Sequence, residues 1–228
     1  MGFLTSIIAI GSIILQTALN SLGWIYVSAF TAAQKIDQLA TQPLMSFGIT
    51  MATYAAQNYG AGNILRIKQG VRRCIVISLS ISLIGGLAII LSSRVLLGLF
   101  IHDNAEMMEL ARLSVSITTA CYSLLALLFI FRYTLQGLGR SLIPTVAGIV
   151  ELGMRTMAAV LLAQILGFRG VCMASPVAWL GAVIPLSTAY FVTIHVLSRK
   201  QEAPMGPPLT NGETETPEAA AETAEGRG

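Results

Sequence analysis

Apolar runs of about 20 residues, each nearly free of charge, recur along the chain as far as position 200, separated by short polar or glycine-rich breaks. A hydrocarbon core of about 30 Å takes about 20 helical residues at about 1.5 Å rise each, so the pattern predicts membrane-spanning helices. Six are expected, over 3–24, 37–58, 73–93, 110–136, 142–166 and 170–197. Gly60-Ala61-Gly62-Asn63 ends the second, Gly137-Leu138-Gly139 ends the fourth, and Gly167-Phe168-Arg169-Gly170 makes the last hairpin. Links this short force antiparallel neighbours.

Polar residues inside these runs are not scattered. Thr5, Ser12, Gln16 and Asn20 share one face of the first helix, and Gln42, Ser46, Thr50, Thr53 and Gln57 share one face of the second. Such faces either hydrogen-bond to neighbouring helices, at about 0.6 kcal/mol apiece, or line a water-filled cavity. Gly48, Ala52 and Ala56 form a separate row of small residues suited to close helix packing. Pro43, Pro144, Pro176 and Pro185 fall within spans or near their ends and each removes a backbone donor. The last helix, with two of them, is the one expected to bend.

Composition agrees with lipid as the solvent. The 228 residues are 54% hydrophobic and 11% charged, with mean hydropathy +0.73, where soluble domains carry about 25% charged residues. The pI of 8.9 understates how basic the helical part is. Residues 201–228 hold Glu202, Glu213, Glu215, Glu218, Glu222 and Glu225 against Arg227, and the rest of the chain has 13 basic and 5 acidic residues. Rich in Pro, Gly, Thr, Ala and Glu, that tail has little to bury and reads as a disordered acidic cytoplasmic segment after a transmembrane domain over 1–200.

Among the loops, Arg66, Lys68, Arg72, Arg73, Arg140, Arg199 and Lys200 fall on one side of the membrane. The other side holds Lys35 with Asp37, Arg94 and Arg112 with Asp103, Glu106 and Glu109, and Arg169. This asymmetry predicts a multi-pass protein with cytoplasmic N- and C-termini, and no nucleic-acid partner. The chain opens directly into an apolar run rather than a basic leader, so no cleavage is expected.

Charges at membrane depth are few. Glu151 and Arg155 lie one turn apart on the fifth helix and form an intramembrane ion pair, with Arg132 on the fourth able to snorkel or to join them. A charge at the bilayer centre is unfavourable by about 2.5–3.5 kcal/mol, which favours pairing. Glu151 is either a structural lock or a proton-coupling carboxylate, and the adjacent arginine favours the lock. Cys74, Cys121 and Cys172 read as small buried side chains, and His102 and His195 as isolated interfacial residues. No metal site, cofactor or catalytic constellation is expected, and hence no enzyme.

The segments Val27 to Asp37 (VSAFTAAQKID), Pro43 to Gly48 (PLMSFG) and Ala56 to Gly62 (AQNYGAG), with Tyr133 to Gly139 (YTLQGLG) and Glu151 to Arg155 (ELGMR), resemble the multidrug and toxin extrusion (MATE) family across nearly all of residues 1–200. The resemblance implies an all-α integral membrane protein, a bundle of six transmembrane helices equivalent to the carboxyl-terminal lobe of a twelve-helix transporter. It implies efflux of small cationic or amphipathic solutes by cation-coupled antiport, in a half-length or truncated form. The partner would then be a second six-helix bundle, either the missing amino-terminal half or another copy.

The coupling ion expected from the family is H+ or Na+. Proton-coupled bacterial relatives use an acid on the first helix of the other lobe, and sodium-linked ones place acids on helices seven and ten. The corresponding spans here offer Gln16 and the apolar stretch Leu124 to Phe129, so no coupling site is found in this chain. Ser12, Gln16, Asn20, Gln42, Ser46, Thr50 and Thr53, with Tyr122 and Arg132, are the candidate residues around the solute cavity. Alternatives are a lipid or polysaccharide flippase of the same superfamily and an inactive remnant.

Overall fold

A computed structural model of the chain describes residues 19–101 and 104–202 together with positions 13, 16 and 17. Within them run six helices: α1 (Trp24–Gly60), α2 (Ile64–Gly98), α3 (Ala105–Ala120), α4 (Tyr122–Gly137), α5 (Leu142–Leu166) and α6 (Phe168–Glu202). Of the first expected span, positions 13, 16, 17, 19 and 20 are described and helical, and a turn at Ser21 and Leu22 leads into α1. Ser12 and the tail beyond Glu202 lie outside the described residues.

The glycine-rich links stop helices by one device. At the end of α1, Gly62 takes φ 70, its N–H donates to the Tyr59 carbonyl at 3.0 Å, and the Asn63 N–H reaches back to the Asn58 carbonyl at 2.8 Å. At the end of α4, Gly139 takes φ 74, with Gly139 N–H to Gln136 at 3.0 Å and Arg140 N–H to Leu135 at 2.9 Å. Both are Schellman motifs, in which a left-handed residue lets the chain turn back and satisfies two terminal carbonyls. The chain therefore turns back between α1 and α2 and again between α4 and α5.

One expectation about helix geometry is corrected. The second span begins at Trp24, not at 37, and its 37 residues make a rod about 55 Å long. Lys35 and Asp37, expected in a loop, are inside it. Ala29, Ala32, Ala33 and Ile36, all buried, give this extension an apolar face against α2 and α3. The last helix, α6, is continuous through Pro176 and Pro185, while the fourth span breaks between α3 and α4 at Cys121 with a 47° bend. No Pro or Gly stands at this break. The Thr118 hydroxyl donates back to the Ser114 carbonyl at 2.9 Å, and Cys121 N–H bonds three residues back to Thr118 at 3.0 Å. Back-bonding hydroxyls of this kind bend helices.

The short helix α4 lies at the centre. Leu125, Leu128, Phe131 and Leu135 pack against Leu44 and Met51 of α1, Ile67 and Val71 of α2, and Trp179, Leu186 and Tyr190 of α6. Close approach to α1 depends on Gly137, where a Cβ would stand 2.2 Å from the Ala52 carbonyl oxygen. The small-residue row thus meets α4 at Gly48 and Ala52, while Ala56 is exposed. Outward surfaces are apolar, with Leu83, Ile84, Leu87, Leu91 and Val95 of α2 and Leu161 and Ile165 of α5 exposed. Helices α2, α5 and α6 are each long and apolar enough to cross a membrane, and α3 with α4 qualify as one broken span.

Candidate functional site

A cavity of about 360 Å³ opens inside the bundle where α1, α3, α4, α5 and α6 meet. From α1 it receives Gln34, Asp37, Gln38 and Thr41, at spacings of three, one and three that place them on one helix face. Thr118 enters from α3, Arg132 from α4, Glu151 and Arg155 from α5, and Ser175 and Trp179 from α6. Leu125, Leu128 and Phe129 supply apolar wall.

On one side, Glu151 binds two guanidinium groups. Arg132 donates from Nη2 to Oε2 at 2.6 Å, and Arg155 from Nη2 to Oε1 at 2.8 Å. The three side chains are only 11–15% exposed. Helical spacing explains Arg155, one turn beyond Glu151, but Arg132 arrives from the facing helix, so the cluster ties α4 to α5. The Nε atoms of both arginines are buried without a partner. Charge within the trio does not balance, since one carboxylate faces two guanidiniums.

The compensating charge on the cavity wall is Asp37. Its Oδ1 accepts a 2.6 Å bond from the phenol of Tyr122, the first residue after the break in the fourth span. No Lys or Arg pairs with Asp37 among the described residues. Lys35, two positions away, points elsewhere, with its ammonium 5.9 Å from the Phe100 ring centroid. The cavity therefore holds two kinds of acid, one locked between cations and one held only by hydroxyl chemistry.

Of the residues singled out from sequence, Tyr122, Arg132, Glu151 and Arg155 come together around this cavity. Gln42, Ser46, Thr50 and Thr53 do not line it and are exposed on another face of α1. Ser46 donates to the Gln42 carbonyl at 3.0 Å and Thr50 to the Ser46 carbonyl at 2.9 Å, so these hydroxyls serve their own helix. Thr50 instead borders a groove between α1 and α2. Gln16 and Asn20 are exposed. Asp37, Gln34, Gln38 and Thr41 were missed, although their 34, 37, 38, 41 spacing is a helical stripe as regular as the exposed one.

A MatE family model matches residues 2–161, a stretch holding Asp37, Tyr122, Arg132, Glu151 and Arg155. The chain belongs to the MatE family. It is 29% identical over 146 residues, 63% of its length, to the probable multidrug resistance protein YoeA of Bacillus subtilis, of which it covers 31%. Its backbone follows a solved MATE transporter in a bent conformation with TM-score 0.80 and 19% identity, over 88% of this chain and 45% of that one. A MOP superfamily transporter from Pyrococcus furiosus superposes with TM-score 0.79 and 18% identity, over 86% of this chain and 44% of that one. The chain thus spans about a third of the curated relative and under half of the solved MATE chains. Its helices form a six-helix unit equivalent to one lobe of a MATE transporter, in a multi-pass membrane protein of a family of transporters rather than enzymes.

Proposed function

We propose that this MatE lobe is the carboxyl-terminal half of an efflux transporter of the plasma membrane, which exchanges small cationic or amphipathic solutes for a coupling cation, with Asp37 as the exchanging carboxylate. The observation that carries the reading is the inequality of the two acids. Glu151 is saturated by two guanidiniums, whereas Asp37 meets the uncharged hydroxyls of Tyr122 and Thr118 and open cavity. Ionisable groups at membrane depth mark ion pathways, and an acid free of fixed cations is the one a mobile cation can reach. Earlier spans seven and ten offered no acid, and Asp37 supplies one between them: it stands on the second span here and is bonded at the break of the fourth.

Alternating access requires two bundles moving about a central site. The chain spans under half of its solved relatives, which supports a second six-helix bundle as partner. The one-sided arrangement of Arg66, Lys68, Arg72, Arg73, Arg140 and Arg199 supports both ends of the bundle facing the cytoplasm.

In everted vesicles carrying the transporter, an imposed proton or sodium gradient should drive uptake of a fluorescent cation. Asp37→Asn should abolish that uptake while protein levels hold. Undiminished gradient-driven uptake in the variant would overturn the role of Asp37. Absence of cation uptake in the parent, with transbilayer movement of a labelled lipid, would favour a flippase instead.

A further inference from the structure

The groove between α1 and α2 lies outside the cavity described above and carries a different chemistry. It consists of a hollow of about 410 Å³ between the two helices, continued by one of about 510 Å³ lined by α2 alone, and the two share Gln69, Arg73 and Ile77. Arg66 rims the first and Arg72 the second. Its floor is Tyr54, whose ring lies so close to Gly70 that a Cβ there would stand 2.2 Å from Cε1, and whose hydroxyl donates to the Arg66 carbonyl at 3.1 Å. The turn of α2 bearing the arginines is thereby fixed against α1.

None of Arg66, Arg72 and Arg73 forms an ion pair among the described residues, and no acidic side chain lines either hollow. Along α2 the positions 66, 73, 77, 84, 87 and 91 are separated by seven, four, seven, three and four, so the arginines head a stripe of one face. That stripe continues as Ile77, Ile84, Leu87 and Leu91, all exposed, while Ile67, Val71, Ser78 and Ser82 turn inward. From Cys74 to Ser93 the helix carries no charge, and this stretch is about 30 Å long, the thickness of the hydrocarbon core. Arg72 and Arg73 therefore stand where hydrocarbon gives way to headgroups.

We propose that this groove seats an anionic phospholipid, its phosphate against Arg66 and Arg73 and its acyl chains along Ile77, Ile84 and Leu87. Unpaired guanidiniums match phosphate oxygens in geometry and charge. The apolar stripe below them gives the lipid tails a surface that a soluble anion does not use. Basic pockets between helices at a membrane face take anionic headgroups by this combination.

The test is native mass spectrometry of the full chain purified in detergent and incubated with equal amounts of phosphatidylglycerol and phosphatidylcholine of identical acyl chains. Phosphatidylglycerol should be retained preferentially. Arg66→Gln and Arg73→Gln should each weaken its retention about fivefold, and Arg94→Gln, at the far end of α2, should leave it unchanged. Equal retention of both lipids, equal loss in Arg94→Gln, or full competition by soluble glycerol phosphate would each overturn the proposal. The last outcome would mean that the arginines take a phosphate without its chains.

Discussion

Replacing Glu151 by Gln leaves Arg132 and Arg155 facing a neutral amide in a site where each was 2.6–2.8 Å from a carboxylate oxygen and no more than 15% exposed. An amide oxygen can accept from one guanidinium, while its NH2 group opposes the other. Both Nε atoms are already without partners, so nothing in the cluster is available to absorb the released charge. Breaking a buried pair in this way is destabilising by about 3–5 kcal/mol. For a chain of this size about 1 kcal/mol moves the melting temperature by about 2–4 °C, so a fall of about 10 °C is expected. Thermal unfolding in detergent micelles can be followed by the fluorescence of Trp179, which lines the same cavity.

The triple variant Arg132→Met, Glu151→Leu, Arg155→Met removes all three charges together. Apolar replacement of a buried charged triad is commonly neutral or stabilising, so it should melt within about 3 °C of the parent. If Glu151→Gln melted within about 2 °C of the parent, or the triple variant were as unstable as the single one, the cluster would not be the lock that joins α4 to α5.

Three further outcomes follow from other contacts. Tyr122→Phe deletes the 2.6 Å phenol bond to Asp37; gradient-driven uptake of a fluorescent cation should fall several-fold with protein levels intact, and unchanged uptake would show that the bond plays no part in exchange. Gly137→Ala places a methyl 2.2 Å from the Ala52 carbonyl oxygen, and the overpacking should lower stability by about 1–3 kcal/mol in the same melting assay. Gly139→Ala forces a side chain onto φ 74 and should lower stability by about 1 kcal/mol without altering uptake, since the residue is exposed and far from the cavity wall.

The links and the apolar spans were legible because their signals are local. Gly62 and Gly139 mark chain reversal by themselves, and the charge-free stretch of α2 needs no tertiary information to be read as a span. Glu151 and Arg155 were legible for the same reason, one turn apart on one helix. Asp37 was not. With Lys35 beside it, the acid looked like the edge of a loop, and the residue that accommodates it, Tyr122, is 85 positions away. Nor could the break at Cys121 be read from composition: no proline or glycine marks it, and the Thr118 hydroxyl that bonds back to Ser114 looks in sequence like any other threonine in a span. The stripe of Gln42, Ser46 and Thr50 was equally legible as a helical face, and it is exposed outside the internal cavity, with the Ser46 and Thr50 hydroxyls bonded to their own backbone.

Because Tyr122 is both the first residue of α4 and the donor to Asp37, the broken span behaves as a jointed arm with its elbow fastened to α1. The upper piece, α3, and the lower piece, α4, meet at an angle that the phenol–carboxylate bond helps to fix. If Asp37 exchanges cations as proposed, an occupant at the carboxylate competes with the phenol for the same oxygen. Displacing the phenol would then unclasp the elbow, and the expected adjustment is in the angle between the two pieces, since α4 has a second tether to α5 through Arg132.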